Sequence, residues 1–117
     1  MPLINVFTSA ELPHAETCDE LLMELSEMLA RHFGKPEAYV MTSLSPRPRM
    51  TFGGSVAPSC YVEIKNIGKM TPAESSALSA EICARLTAVL DVPGSRIYIE
   101  MADIEPHLWG FDGSTFA

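Results

Sequence analysis

The sequence predicts an α+β protein in which two β-α-β units share one four-stranded mixed sheet, with both helices on the same face. The first observation is the order of periodicities: strand, helix and strand patterns follow one another over about residues 3–45 and again over about 60–101. The second is that such crossovers are right-handed, which puts both helices on one side of the sheet. The third is length: 117 residues fit a single domain, residues 1–117, with a core of its own.

The first strand is predicted over residues 1–8 (MPLINVFT), which are apolar and β-prone. Pro2 has two interpretations. A proline that opens a strand needs no backbone donor, which is a purely structural role and the one the strand alone favours. Cells usually remove an initiator Met ahead of a small residue such as proline. Removal of Met1 would leave a secondary amine on an ordered strand, which is a candidate general base.

The first helix is predicted from its cap, its apolar stripe and its stop signal. Thr17 and Glu20 have capping-box spacing, so the helix begins near Thr17 or one turn earlier. Gly34 followed by Pro36 ends it. Its inward positions recur every three to four residues, at Cys18, Leu21, Leu22, Leu25, Met28, Leu29 and His32.

The middle of the chain is predicted to hold two strands and a turn. Residues 39–44 form the second strand, and residues 52–55 (FGGS) form a turn or bulge. Residues 60–67 alternate with period two, which places Val62 and Ile64 on one face of the third strand.

The second helix has a strong start signal, because Thr71 can cap it, Pro72 suits its first turn and Glu74 completes a capping box. Its apolar stripe is Leu78, Ile82, Leu86, Val89 and Leu90. Residues 92–94 (VPG) end it, and residues 96–101 form the fourth strand.

The fourth strand indicates what covers the sheet face that the helices leave bare. Ile97 and Ile99 point one way, whereas Tyr98 and Glu100 point the other. Tyr61 joins them on the bare face. A face carrying these tyrosines favours burial against other copies of the chain, and a closed homo-oligomer leaves no open edge.

Composition excludes several classes of protein. A net charge of −7 and a pI near 4.8 argue against a nucleic-acid partner. No apolar run reaches the roughly 20 residues of a membrane span, and no signal-peptide pattern opens the chain. The localisation predicted is cytoplasmic, with secretion without a signal peptide as the open alternative.

Neither a metal nor a cofactor is predicted. The three cysteines are odd in number and widely spaced, which is typical of free thiols in a reducing compartment and gives no zinc or CxxC pattern. The paired glycines Gly53 and Gly54 precede no helix, so they are weak evidence for a phosphate site.

Six short motifs in order carry a family resemblance. They are Pro2, residues 34–36 (GKP), 52–55 (FGGS), 66–69 (NIGK), 96–99 (RIYI) and 113–117 (GSTFA). Together they resemble the macrophage migration inhibitory factor family and its microbial and plant members. The resemblance runs from end to end, with one short length difference before the first helix.

This resemblance implies the tautomerase fold, a homotrimer with a pocket at each subunit interface, and keto–enol tautomerisation of aryl pyruvates such as phenylpyruvate and of dopachrome-type substrates. It implies Pro2 as the catalytic base, Lys35 as the cation that meets anionic substrate groups, and Ile67 as a backbone contact. It also implies that Tyr98 enters the site of the neighbouring subunit. The implied pocket walls are Leu3, Tyr39, Trp109, Phe111 and Phe116.

Three departures from the vertebrate pattern bear on function. Glu100 stands where the vertebrate protein has Asn, which affects substrate preference. Residues 59–62 (SCYV) replace its CxxC, so no thiol–disulfide activity is carried over. Trp109 and Phe111 give the pocket rim a different shape. Two alternatives to the tautomerase remain open. One is a non-enzymatic, cytokine-like signalling protein built on the same trimer, whose receptor the sequence does not identify. The other is a related reaction on the same amine, such as decarboxylation or the hydration of an unsaturated acid.

The chemistry expected at Pro2 follows from its surroundings. Enolisation of a 2-oxo acid needs a base whose pKa lies near the operating pH. Burial disfavours the ammonium form and lowers the pKa of such an amine, and a nearby Lys35 lowers it further. Glu100 opposes both effects unless it is solvated or paired. The alternative interpretation of Lys35 gives it no role in the chemistry: it is then a solvated residue beside the glycine that ends the first helix.

Overall fold

The computed structural model describes residues 1–117 and is built on a four-stranded sheet with the strand order β2-β1-β3-β4. The strands of this sheet are β1 (Leu3–Thr8), β2 (Met41–Pro46), β3 (Cys60–Ile67) and β4 (Ile97–Ile104). The helices are α1 (Ala15–Phe33) and α2 (Pro72–Leu90). A small hairpin of β5 (Gly110–Phe111) and β6 (Ser114–Thr115) follows.

The strand pairing confirms the two β-α-β units. β1 runs parallel to β2, and β3 runs parallel to β4, so each helix is the crossover of its own parallel pair. The units join through the antiparallel pair β1–β3, in which Leu3 lies opposite Lys65 and Thr8 opposite Cys60. The sheet is therefore mixed.

The core lies between the sheet and the two helices. Alternate residues of β1 and β3 point into it, including Ile4 and Ile64, and they are fully covered. The helices contribute Leu21, Leu25 and Leu29 from α1 and Leu78, Ile82, Leu86 and Leu90 from α2. Burial of each such aliphatic side chain stabilises the fold by about 1.5–3 kcal/mol before the entropic cost of ordering the chain.

The helix ends follow the sequence signals, with one exception. The Thr71 hydroxyl accepts a hydrogen bond from Glu74 N, and the Glu74 carboxylate accepts one from Thr71 N, which confirms the predicted capping box of α2. Gly34 ends α1 in the left-handed conformation with φ 60°. The capping box suggested at Thr17 is wrong, and the alternative start one turn earlier is confirmed: α1 begins after His14, whose side chain makes no capping hydrogen bond.

Several strand boundaries differ from prediction by one to three residues, and two of these differences have a clear local cause. Tyr39 is predicted in the second strand but lies in a turn of 3-10 helix, Glu37–Tyr39. The cause is Pro36, which leads into a tight turn closed by a hydrogen bond from Val40 N to Glu37 O. The fourth strand was expected to stop at Met101 but runs on to Ile104, since no turn residue interrupts it and β3 pairs with it along its full length.

The outer face of the sheet is aromatic, as predicted. Phe7 stacks on Tyr61 with ring centroids 6.1 Å apart, and Arg47 lies over Phe7 at 4.3 Å. Tyr98 is 66% exposed and touches Phe52, at a centroid distance of 4.7 Å. This large exposed ring is the reason to expect a covering partner; the trimer itself stays a prediction.

The three cysteines are free. Cys60 is buried, whereas Cys18 and Cys83 are half-buried. No group of three His, Cys, Asp or Glu side chains is placed to hold a metal ion. Neither helix has the length and apolar character that crossing a membrane requires.

Candidate active site

A cavity of about 560 Å³ lies at the end of the sheet where β1 begins. Most of its lining is apolar, which is typical of a small-molecule site. The lining comprises residues 1–3, residues 38–41, Lys65, Ile104, residues 108–111 and Phe116. Both ends of the chain therefore contribute to one cavity.

The N-terminal residues are held in the sheet from Pro2 onward. Pro2 is buried, and its carbonyl accepts a hydrogen bond from Met41 N at 3.1 Å. The terminal amine of Met1 donates to the carbonyl of Tyr39 at 2.9 Å. Partial burial lowers the pKa of this amine, and the nearby charge of Lys35 lowers it further. This end of the strand thus disfavours a protonated amine.

Lys35 is fixed by the end of α1. The left-handed Gly34 ends the helix, and Lys35 N then donates to Ala30 O at 3.0 Å. Its half-buried ammonium donates to the carbonyl of Ile67 at 2.6 Å. The structure therefore places Lys35 and Ile67 together, with the lysine charge acting on the terminal amine.

Three aromatic rings form one wall of the cavity. Tyr39 meets Phe111 edge-on at 5.4 Å and Phe116 edge-on at 6.1 Å, while Phe111 and Phe116 stack at 5.4 Å. The hairpin that carries them turns at Asp112 and Gly113, both with positive φ. Phe116 N donates to Trp109 O at 3.2 Å, which extends the pairing of the hairpin's two arms and sets the position of Phe116.

The predicted site residues fall into three groups. Pro2, Leu3, Tyr39, Trp109, Phe111 and Phe116 line the cavity. Lys35 and Ile67 do not line it, but they are joined to each other beside it. Tyr98 and Glu100 do not line it and lie on the outer face of β4. The resemblance implies that Tyr98 serves a neighbouring subunit, and this role and the effect of Glu100 on substrate preference stay predictions.

Glu100 is paired within its own chain. Its carboxylate accepts a hydrogen bond from the Tyr61 hydroxyl at 3.2 Å. Burial raises the pKa of Tyr61, and the hydrogen bond and negative charge of Glu100 raise it further. Glu100 is expected to oppose the lowering of the amine pKa only if it is neither solvated nor paired. Its pairing with Tyr61 meets one of these conditions.

Sequence reasoning missed the other lining residues, which are Met1, Ala38, Val40, Met41, Lys65, Ile104, Leu108 and Gly110. Lys65 is the informative one. The alternation of the third strand puts it on the outer face, but only the β1–β3 register, in which it lies opposite Leu3, brings it to the cavity. That register joins distant parts of the chain, so no local signal predicts it.

Comparison with known proteins agrees with this geometry. The family model described as macrophage migration inhibitory factor (MIF) matches residues 1–117. The Meriones unguiculatus macrophage migration inhibitory factor is 35% identical over 117 residues, covering 100% of both chains. That of Xenopus tropicalis is 35% identical over 99 residues, covering 85% of this chain and 86% of its own.

Solved structures agree as well. A macrophage migration inhibitory factor homologue from Prochlorococcus marinus superposes with a TM-score of 0.91 at 43% identity, covering 98% of this chain and 99% of its own. The Toxoplasma gondii protein gives 0.92 at 29% identity, covering 97% and 99%. The fold and the N-terminal cavity define a protein of the tautomerase superfamily. Within it, the chain belongs to the macrophage migration inhibitory factor family.

Proposed function

We propose that this protein is a keto–enol tautomerase of aryl pyruvates such as phenylpyruvate, and of dopachrome-type substrates, with Pro2 as general base once Met1 is removed. The observation that carries the proposal is the environment of the N-terminus. Pro2 is buried at the rim of an apolar cavity, and the terminal amine beside it has a lowered pKa.

The base would work through its neutral form. In the intact chain the Pro2 nitrogen is an amide and carries no basic lone pair. Loss of Met1 turns it into a secondary amine, which can take a proton from the carbon next to the keto group and return it to oxygen. The surrounding apolar groups and Lys35 keep such an amine unprotonated at lower pH than in water.

Lys35 would stabilise the negative charge of the substrate. Its ammonium, now on the Ile67 carbonyl at 2.6 Å, has two further N–H groups with which to meet a carboxylate or a developing enolate. Since Ile67 fixes its position, little reorganisation is needed when the charge develops.

The cavity walls suit an aromatic substrate. Tyr39, Phe111 and Phe116 offer faces and edges at which a planar ring can stack. A volume of about 560 Å³ lies within the range of small-molecule sites. We further propose a homotrimer in which Tyr98, exposed here, completes the cavity of a neighbouring subunit.

Comparison of processed and unprocessed protein tests the proposal. Mass spectrometry identifies each form, and enolisation of phenylpyruvate is followed by absorbance. We expect turnover only when Met1 is absent. Inserting Ala between Met1 and Pro2 should abolish turnover without unfolding the protein, because the new terminus is displaced by up to about 3.5 Å. Full activity in verified Met1-retaining protein would refute the role of Pro2.

A further inference from the structure

We propose that Lys65 forms a second anion subsite in the cavity, and that the enzyme thereby prefers 2-oxo acids that bear a second acidic group, such as a carboxylate on the aromatic ring. This rests on the tautomerase activity proposed above. Lys65 has the one charged side chain among the residues that line the cavity. A cation in an otherwise apolar wall is a strong determinant of ligand charge.

The position of Lys65 is set by the sheet. The β1–β3 ladder pairs it with Leu3, the residue after the proposed base. Because paired residues in a ladder point to the same face, the Lys65 and Leu3 side chains share the outer face of the sheet. The lysine is therefore held beside the reacting end of the cavity by backbone hydrogen bonds.

Lys65 is free to take a ligand. The structure gives its exposed ammonium neither a hydrogen bond nor an ion pair, in contrast to that of Lys35, which is engaged with Ile67. Glu63 and Glu100 are the acidic residues on the same face, and they lie opposite each other in the β3–β4 register. Neither lines the cavity, and Glu100 is already paired with Tyr61.

The two lysines address different parts of a ligand. Lys35 is anchored at Ile67, and Lys65 lies two residues earlier on β3, a step of about 7 Å along the strand. A substrate with one carboxylate can satisfy one cation. A substrate with two carboxylates, one on the keto acid and one on the ring, can pair with both lysines while its aromatic ring packs against the apolar wall.

The test compares phenylpyruvate with 4-carboxyphenylpyruvate. Lys65→Gln removes the charge at similar length, and Lys69→Gln is the matched control, since Lys69 is exposed and lies outside the cavity lining. We expect Lys65→Gln to lower the ratio of kcat/KM for the carboxylated over the plain substrate about fivefold, as for a partly screened ion pair. Lys65→Glu should lower it further, and Lys69→Gln should not change it.

An unchanged ratio in Lys65→Gln, or an equal fall caused by Lys69→Gln, would overturn the subsite. Failure of the tautomerase proposal is distinguishable, because it would appear as no turnover of either substrate by processed wild-type protein. Binding then decides the matter. Trp109 is the single tryptophan and lines the cavity, so quenching of its fluorescence reports the Kd of both compounds. If the two compounds have different Kd values in wild type and in Lys69→Gln but equal values in Lys65→Gln, the subsite is supported. If the two compounds have equal Kd values in wild type, the subsite is refuted.

Discussion

Lys35 and Ile67, 32 residues apart in the sequence, are joined by a hydrogen bond of 2.6 Å from the lysine ammonium to the isoleucine carbonyl. This bond connects the end of α1 to the end of β3. It also fixes a positive charge where it lowers the pKa of the N-terminal amine. This one contact therefore joins α1 to β3 and also holds a positive charge next to the proposed site.

Lys35→Ala should weaken turnover of anionic substrates more than that of neutral esters, because it removes the charge that meets the carboxylate and leaves the base in place. The loss in kcat/KM for phenylpyruvate should correspond to about 1 kcal/mol if the contact is screened, and to about 2–3 kcal/mol if it is desolvated. Steady-state kinetics with dopachrome and its methyl ester measure the difference. Equal losses on acid and ester would contradict this role of Lys35.

The activity of the processed enzyme should rise with pH through a single ionisation that lies below that of a free prolyl amine. In the intact chain burial and then Lys35 lower the pKa of the Met1 amine, and we expect the same two causes to act on the Pro2 amine that removal of Met1 exposes. The neutral amine is the active form, so the rate is low below the pKa and full above it. In Lys35→Ala the midpoint should move to higher pH, since one of the two causes is gone. A pH profile of kcat/KM measures both midpoints; an unshifted midpoint would show that the charge of Lys35 does not act on the base.

Glu81 should make stability depend on acidity. Hydrogen bonds from Arg31 at 2.6 Å and from His32 at 2.5 Å lower its pKa from 4.5 to about 2. A lowered folded-state pKa contributes stability that is full above the ordinary pKa of 4.5 and is lost as the pH falls through about 2.

Thermal unfolding measures this contribution. Because Glu81 is partly exposed, the effect is small. Glu81→Gln should lower the Tm at pH 6 and have little effect near pH 2. Glu20→Gln, at an exposed position of the same charge, is the control. A Tm difference that is the same at both pH values would indicate lost packing rather than lost charge.

Arg96 should be needed for the loop before β3. Its guanidinium donates to the carbonyls of Pro58, Phe52, Ser55 and Ala57 over 2.8–3.1 Å, and this loop carries the ring of Phe52 that packs on Tyr98. Lysine lacks the planar fork and cannot serve these acceptors together.

Arg96→Lys should therefore lower the free energy of unfolding in urea by about 1–3 kcal/mol. Arg49→Lys provides the control, because the structure gives Arg49 no hydrogen bond. Near-native stability of Arg96→Lys would mean that the loop holds its conformation without the guanidinium.

Most of the fold could be predicted from local patterns. The physical reason is that the alternation of a strand and the cap of a helix each depend on residues that lie close together in the sequence. Alternation placed β3 within its observed bounds, and the Thr71–Glu74 pair located the start of α2. The shifts at Tyr39 and after Met101 have the opposite cause. There a turn set by Pro36 and a long pairing with β3 decide where the strands lie.

The site was only partly predictable. Aromatic residues of the tail and Pro2 were placed by resemblance to a family, and the structure brings them together. Lys65 required the antiparallel register of β1 and β3, which depends on contacts between distant segments. The environment of Tyr98 in an assembly depends on other chains and cannot be derived from one.

The cavity is closed by the first strand and the last hairpin, which has consequences for the order of folding. These two segments are far apart in the sequence, so bringing them together closes a very long loop. The chain loses the entropy of closing this loop before the stabilising contacts form. The hairpin is short and mostly exposed, its backbone hydrogen bond from Phe116 N to Trp109 O lies within the tail, and it meets the wall through the ring contacts of Phe111 and Phe116 with Tyr39. We expect this wall to form last and to open first, with the four-stranded sheet intact beneath it. Hydrogen exchange would then be faster for residues 110–116 than for β3, and the admission of a ligand would follow the opening rate of the tail rather than the unfolding of the domain.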